Sequence, residues 1–83
     1  GPENGIYYRD HIECNSNNIR INIRDYFTAL CQDNYNVYLT SYGPYDVFLK
    51  EKNIDNFLVE SITTGFKFDY LIIGQRSSIN IIE

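Results

Sequence analysis

The chain predicts a β-rich α+β domain: a small antiparallel barrel or sandwich of about seven short strands with one short helix near residues 25–33. Three observations carry this expectation. Segments such as "IRINIR" alternate apolar and polar residues, the period of two that marks a strand with one buried face. Turn-forming clusters ("NSNN", "GP", "TTG", "QRSS") recur along the chain at roughly the 8–12-residue spacing of all-β sandwiches and barrels. Only the stretch after Asp25 carries helical signals.

Taken in order, residues 6–14 place Ile6, Tyr8, Ile12 and Cys14 on one face and Tyr7, Arg9, His11 and Glu13 on the other. Asp10 interrupts the apolar face. After the polar turn "NSNN", Ile19, Ile21 and Ile23 alternate with Arg20, Asn22 and Arg24, so the first two strands are expected to form a hairpin. Asp25 is a good N-cap, and "YFTALCQD" holds two helical turns with Phe27, Leu30 and Cys31 on one side. So short a helix needs a sheet to pack on. "YNVYLTSY" is β-branched and aromatic, hence a strand. Gly43-Pro44 ends it, because the residue before proline avoids the helical region. "DVFLKE" is the next strand. "IDNFLVESITTGFKFDYLIIG" is expected to be a long hairpin with Gly65 supplying a positive φ in its turn. Phe66, Phe68, Tyr70 and Ile72 share its buried face, Lys67 and Asp69 its wet one. "INIIE" is expected as a closing strand that pairs with the N-terminal strand or with another molecule.

Gly1-Pro2 is the pair a common tag-removing protease leaves, so residues 3–83 are read as one small domain. Eight tyrosines and five phenylalanines supply apolar area to a chain of 83 residues that has no Trp or Met. The abundance of Asn, Ile and Tyr points to an AT-rich genome. The net charge of −4 is evenly spread, with three basic and five acidic residues in 1–34 and four and six in 35–83. This lacks the basic footprint of a general nucleic-acid binder. No apolar run approaches the ~20 residues of a membrane span, so no membrane association is expected; a cytoplasmic or other intracellular, reducing compartment is expected from the cysteines. Two cysteines do not make a disulfide framework; Cys14 and Cys31 are read as buried free thiols, with a single bridge as the alternative.

Catalytic patterns are absent from the sequence, and no enzymatic activity is expected. The one histidine, His11, lies in "DHIEC", but a strand directs His11 and Glu13 to one side and Asp10 and Cys14 to the other. Structural zinc needs four converging ligands, so no metal and no cofactor are expected. A Cys31–His11 nucleophile pair is permitted by composition alone, and Cys31 belongs to an apolar face where thiols are inert. The carboxylate pairs Asp55 with Glu60 and Asp46 with Glu51 fall in turns and on wet faces. The glycines are isolated turn residues, not a phosphate loop.

Two binding surfaces remain. Tyr7, Arg9, His11, Arg20, Asn22 and Arg24 would share the outer face of the first hairpin, with arginine forks suited to carboxylate or phosphate. Tyr42 and Tyr45 flank the Gly43-Pro44 turn, where exposed tyrosines act as anchors in protein interfaces. The candidate binding residues are therefore Tyr42, Tyr45, Tyr7, Arg9, Arg20 and Arg24.

"YFTAL" as an N-terminal helix, "VYLTSYG" as a first strand with its glycine and "FDYLII" as a later strand resemble the bacterial Sm-like RNA chaperone (host factor) family. The likeness covers residues 26–43 and 68–73. It implies a five-stranded barrel, a ring oligomer joined edge to edge and binding of single-stranded RNA. The family's basic–aromatic motif near the last strand is replaced here by "SSINIIE", so no RNA-binding residues carry over. The expected function is a non-enzymatic protein-interaction module, an inhibitor or accessory factor of the kind viruses and mobile elements encode. The alternatives are a single-stranded RNA binder built as an Sm-like oligomer, and an assembly subunit that homo-oligomerises through edge strands.

Overall fold

The computed structural model describes residues 5–23 and 35–75, and the side chains within 8–23 and 35–74. Six strands form: β1 (Gly5–Cys14), β2 (Asn18–Asn22), β3 (Tyr35–Ser41), β4 (Val47–Lys52), β5 (Asn56–Ser61) and β6 (Phe66–Gln75). They make two three-stranded antiparallel sheets, ordered β1-β6-β3 and β2-β5-β4. The α+β expectation is thereby corrected to all-β. The described residues contain no helix and close no barrel, including the five-stranded barrel implied by the Sm-like resemblance. Six strands stand where about seven were expected. The segment expected to be helical, 25–33, and the expected seventh strand, 79–83, lie outside the described residues.

The two expected hairpins are also corrected. β1 and β2 are not hydrogen-bonded partners, and neither are β5 and β6; each pair crosses from one sheet to the other. The ladder is nevertheless carried through the crossings. Cys14 pairs with Phe66 and Asn18 with Glu60. Between them Gly65 donates its N–H to the Ser16 carbonyl (3.0 Å) and Ser61 donates to that of Asn17 (2.8 Å). On the other side Tyr42 donates to the Lys67 carbonyl (3.0 Å). A three-stranded ribbon is thus bent across its middle and laid back on itself.

The reason is the apolar face. An open three-stranded sheet would leave Phe66, Phe68, Tyr70 and Ile72 in water, and fully burying one such side chain is worth about 1.5–3 kcal/mol. The bend sets them against Ile21, Phe57 and Val59, and all of these are buried in one cluster. Phe57 meets Tyr70 edge-on across the layers, ring centroids 5.3 Å apart. At the open end of the fold the Tyr35 hydroxyl donates to the Asn53 carbonyl (2.5 Å), and Lys52 Nζ donates to the Tyr35 carbonyl (3.0 Å). These bonds tie β3 to the connection after β4. Buried Ser61 is satisfied: Asn17 Nδ2 donates to its carbonyl and the Thr63 N–H to its hydroxyl.

Alternation along the strands places Cys14, Ile21, Ile23, Phe66, Phe68, Tyr70 and Ile72 inside. The Cys14 thiol is free and buried, within reach of the Asn18 carbonyl at 3.4 Å. Cys31 lies outside the described residues. Both turn glycines have positive φ, +134° at Gly43 and +86° at Gly65. Gly43 also allows a close approach: a Cβ there would come within 2.8 Å of the Tyr45 ring.

Candidate binding face

The outer face of the β1-β6-β3 sheet assembles its side chains by register alone. Arg9 lies opposite Leu71, which lies opposite Tyr38; the next row is His11, Asp69 and Thr40. Residues far apart in sequence become neighbours because β6 runs between β1 and β3.

Asp69 is the hub. Its Oδ1 receives His11 Nδ1 at 2.7 Å, and its Oδ2 receives the Tyr42 hydroxyl at 2.6 Å. The other ring nitrogen of His11, Nε2, faces Glu13 Oε2 at 3.2 Å. Ionised carboxylates only accept hydrogen bonds, and a neutral imidazole has one N–H. Two carboxylates on opposite ring nitrogens therefore favour the imidazolium, the form in which both nitrogens donate. In agreement, hydrogen bonding to Asp69 and then to Glu13 raises the His11 pKa above its ordinary 6.5, against an opposing effect of desolvation. The same network lowers Asp69 below 3.8, Tyr42 first and His11 second, and raises Tyr42 above 10.0, mainly through Asp69. The Tyr42 ring stands edge-on to the His11 ring at 5.0 Å. The aromatic side chain is half exposed, at 51%, and held at both its ring and its hydroxyl.

Beside the hub, Arg9, Thr40, Asp69, Tyr70 and Leu71 line an open depression of about 150 Å³. Arg9 makes no ion pair with the described residues, and its charge reaches Asp69 and Tyr42 only through space.

The sequence-predicted residues separate into groups. Arg9 and Tyr42 come together on this face. Tyr45 turns inward and packs on the core. Arg20 lies on the opposite sheet, donating to Asn56 Oδ1 (2.6 Å) and Glu51 Oε2 (3.2 Å). Tyr7 pairs with Ile73 through its backbone; its side chain and all of Arg24 lie outside the described residues. The expected single face of Tyr7, Arg9, His11, Arg20, Asn22 and Arg24 is not formed, because β1 and β2 belong to different sheets. Asp69 and Thr40 were not singled out from sequence. Alternation marks each as outward, but only the β1–β6–β3 register brings them to His11.

Glu13 and Asp69 occupy opposite edges of the imidazole, so they do not converge on one ion, and no metal-holding group occurs among the described residues. Glu51 and Glu60 are paired with Arg20 and Lys50. No helix among the described residues is long and apolar enough to cross a membrane. Fold and face together are a small all-β domain that carries a tethered aromatic beside an arginine without an ion pair among the described residues. Compared with known proteins, the chain matches no family model, no curated protein and no solved structure.

Proposed function

We propose that the protein is a non-enzymatic interaction module that binds another protein through the outer face of the β1-β6-β3 sheet. The observation that carries this reading is Tyr42: half exposed, yet fixed by Asp69 and His11. A large aromatic that is already immobilised loses little side-chain entropy on binding, which is the property of interface anchors. Tyr38 on the same face is 52% exposed, and Leu71 lies between Tyr38 and Arg9 in register. The face thus combines an aromatic and apolar centre with Arg9, a cation without an ion pair among the described residues, as interface hot spots do.

A photo-crosslinking residue placed at Tyr38 tests this, with the same residue at Phe48, on the second sheet, as control. The expected result is an adduct to a protein other than this chain, from position 38 alone. With that protein purified, Tyr42→Ala weakens binding by roughly 30-fold or more, the effect of a 2 kcal/mol hot spot, while the chain stays folded by circular dichroism. Unchanged affinity overturns the reading, and so does an adduct to RNA in place of protein.

A further inference from the structure

Among the described residues the two sheets have four edges, and three are protected against pairing. β1 carries Arg9, His11 and Glu13, with Asp10 on its inward-facing side. β2 is only five residues long. β4 shifts register between Leu49 and Glu51, and reads Lys50-Glu51-Lys52 there. Short length, charge, inward charge and bulges are the ordinary devices that keep an edge from recruiting another strand. β3 has none of them. Its seven residues, "YNVYLTS", contain no charge, proline or glycine, and its pairing with β6 is unbroken from Tyr35 to Ser41.

Backbone direction shows what this edge offers. Tyr42 donates to the Lys67 carbonyl, toward β6. Backbone groups alternate along an antiparallel strand, so Val37 and Leu39 direct theirs away from β6. The Tyr35 carbonyl also points outward and is taken by Lys52. No hydrogen bond reaches the outward backbone groups of Val37 or Leu39 among the described residues. Their side chains pack on the core but stay only half-buried, whereas Phe68, Tyr70 and Ile72 of central β6 are buried.

We infer that β3 pairs with β3 of a second copy, antiparallel about a two-fold axis at Tyr38. This inference rests on the edge alone and not on the reading of the outer face. Self-pairing centred on Tyr38 sets Val37 against Leu39, Asn36 against Thr40 and Tyr38 against Tyr38. The face of every residue is preserved, because a register that conserves parity keeps inner side chains inner. Val37 and Leu39 would exchange main-chain hydrogen bonds with their opposite numbers and extend the core across the join. No like charges meet on β3. The same operation on β1 centred at Asp10 would stack carboxylate on carboxylate.

The test is mass by light scattering across a range of concentration, on the full chain and on Tyr38→Lys and Tyr38→Glu. Tyr38 is half exposed, so these changes spare the core. The expected results are a dimer of the 9.8 kDa chain, monomers for each variant alone and a heterodimer when the two variants are mixed, since opposite charges then face each other. In the wild type, exchange of the Val37 and Leu39 amides slows as concentration rises. A wild-type chain that remains monomeric throughout overturns the inference. So do dimers of Tyr38→Lys or Tyr38→Glu alone, or a mixture that stays monomeric although both variants are folded by circular dichroism.

Discussion

Phe57 and Tyr70 offer the sharpest test of the bent-ribbon fold, because they lie on different sheets and meet only if the layers stack. Phe57 is fully buried and Tyr70 is 4% exposed, with their rings edge-to-face at 77°. Such a pair contributes about 0.5–1.5 kcal/mol beyond the area it buries. Each single change, Phe57→Leu or Tyr70→Leu, should cost about 0.5–3 kcal/mol, lowering the thermal midpoint by about 4–8 °C per kcal/mol in a domain of this size. The double variant should cost less than the sum of the two, by about 1 kcal/mol. Urea unfolding of the four proteins measures this, provided the m-value is shared. Tyr70 also approaches Tyr8, 6.2 Å away within its own sheet, but that contact is lost in both Tyr70 legs and cancels. Additivity within about 0.3–0.5 kcal/mol, as for sites without contact, would refute the stacking of the two sheets at this point.

The remaining predictions concern the face and its turn. Because the His11 pKa is raised in the fold, the stabilisation it brings is complete below its ordinary 6.5 and is lost as pH rises through the higher folded value. Asp69 is lowered, so its contribution is present above 3.8 and is lost as pH falls through the depressed value. Proton NMR should show the His11 ring titrating above 6.5, and Asp69→Asn should move it down. An unmoved midpoint removes Asp69 as the main cause and leaves Glu13. Tyr42→Phe should raise the Asp69 pKa toward 3.8, read from the carboxyl carbon shift; no change means that the hydroxyl is not bonded there. Gly43→Ala should cost about 1–3 kcal/mol from backbone strain, as the new Cβ meets the Tyr45 ring. Thermal unfolding equal to that of the parent chain would contradict the turn geometry.

Much of the local structure was legible because strand alternation has a period of two whatever the partner. Ile19, Ile21 and Ile23 inward, Phe66 through Ile72 inward and the positive φ of Gly65 all follow from that pattern and from turn chemistry. Pairing was less accessible. A short turn between two alternating runs suits a hairpin and a layer crossing equally, and "NSNN" and "TTG" proved to be crossings. That difference moved Arg20 to the side of the molecule away from Arg9 and divided the expected basic face. Tyr45 shows the same limit: it and Tyr42 flank one turn, yet one packs on the core and the other stands in solvent.

By itself, the order of residues determined which side of each strand meets the core and where the chain turns. Those properties depend on neighbours within a few residues. Tertiary structure alone decided that β6 runs between β1 and β3, and so that His11, Tyr42 and Asp69 form one hydrogen-bonded cluster. Alternation fixes which way a side chain faces but not which strand lies beside it. That choice is made by the ladders of β6 with β1 and β3 and by the burial of the apolar face they share, long-range contacts that no local pattern encodes.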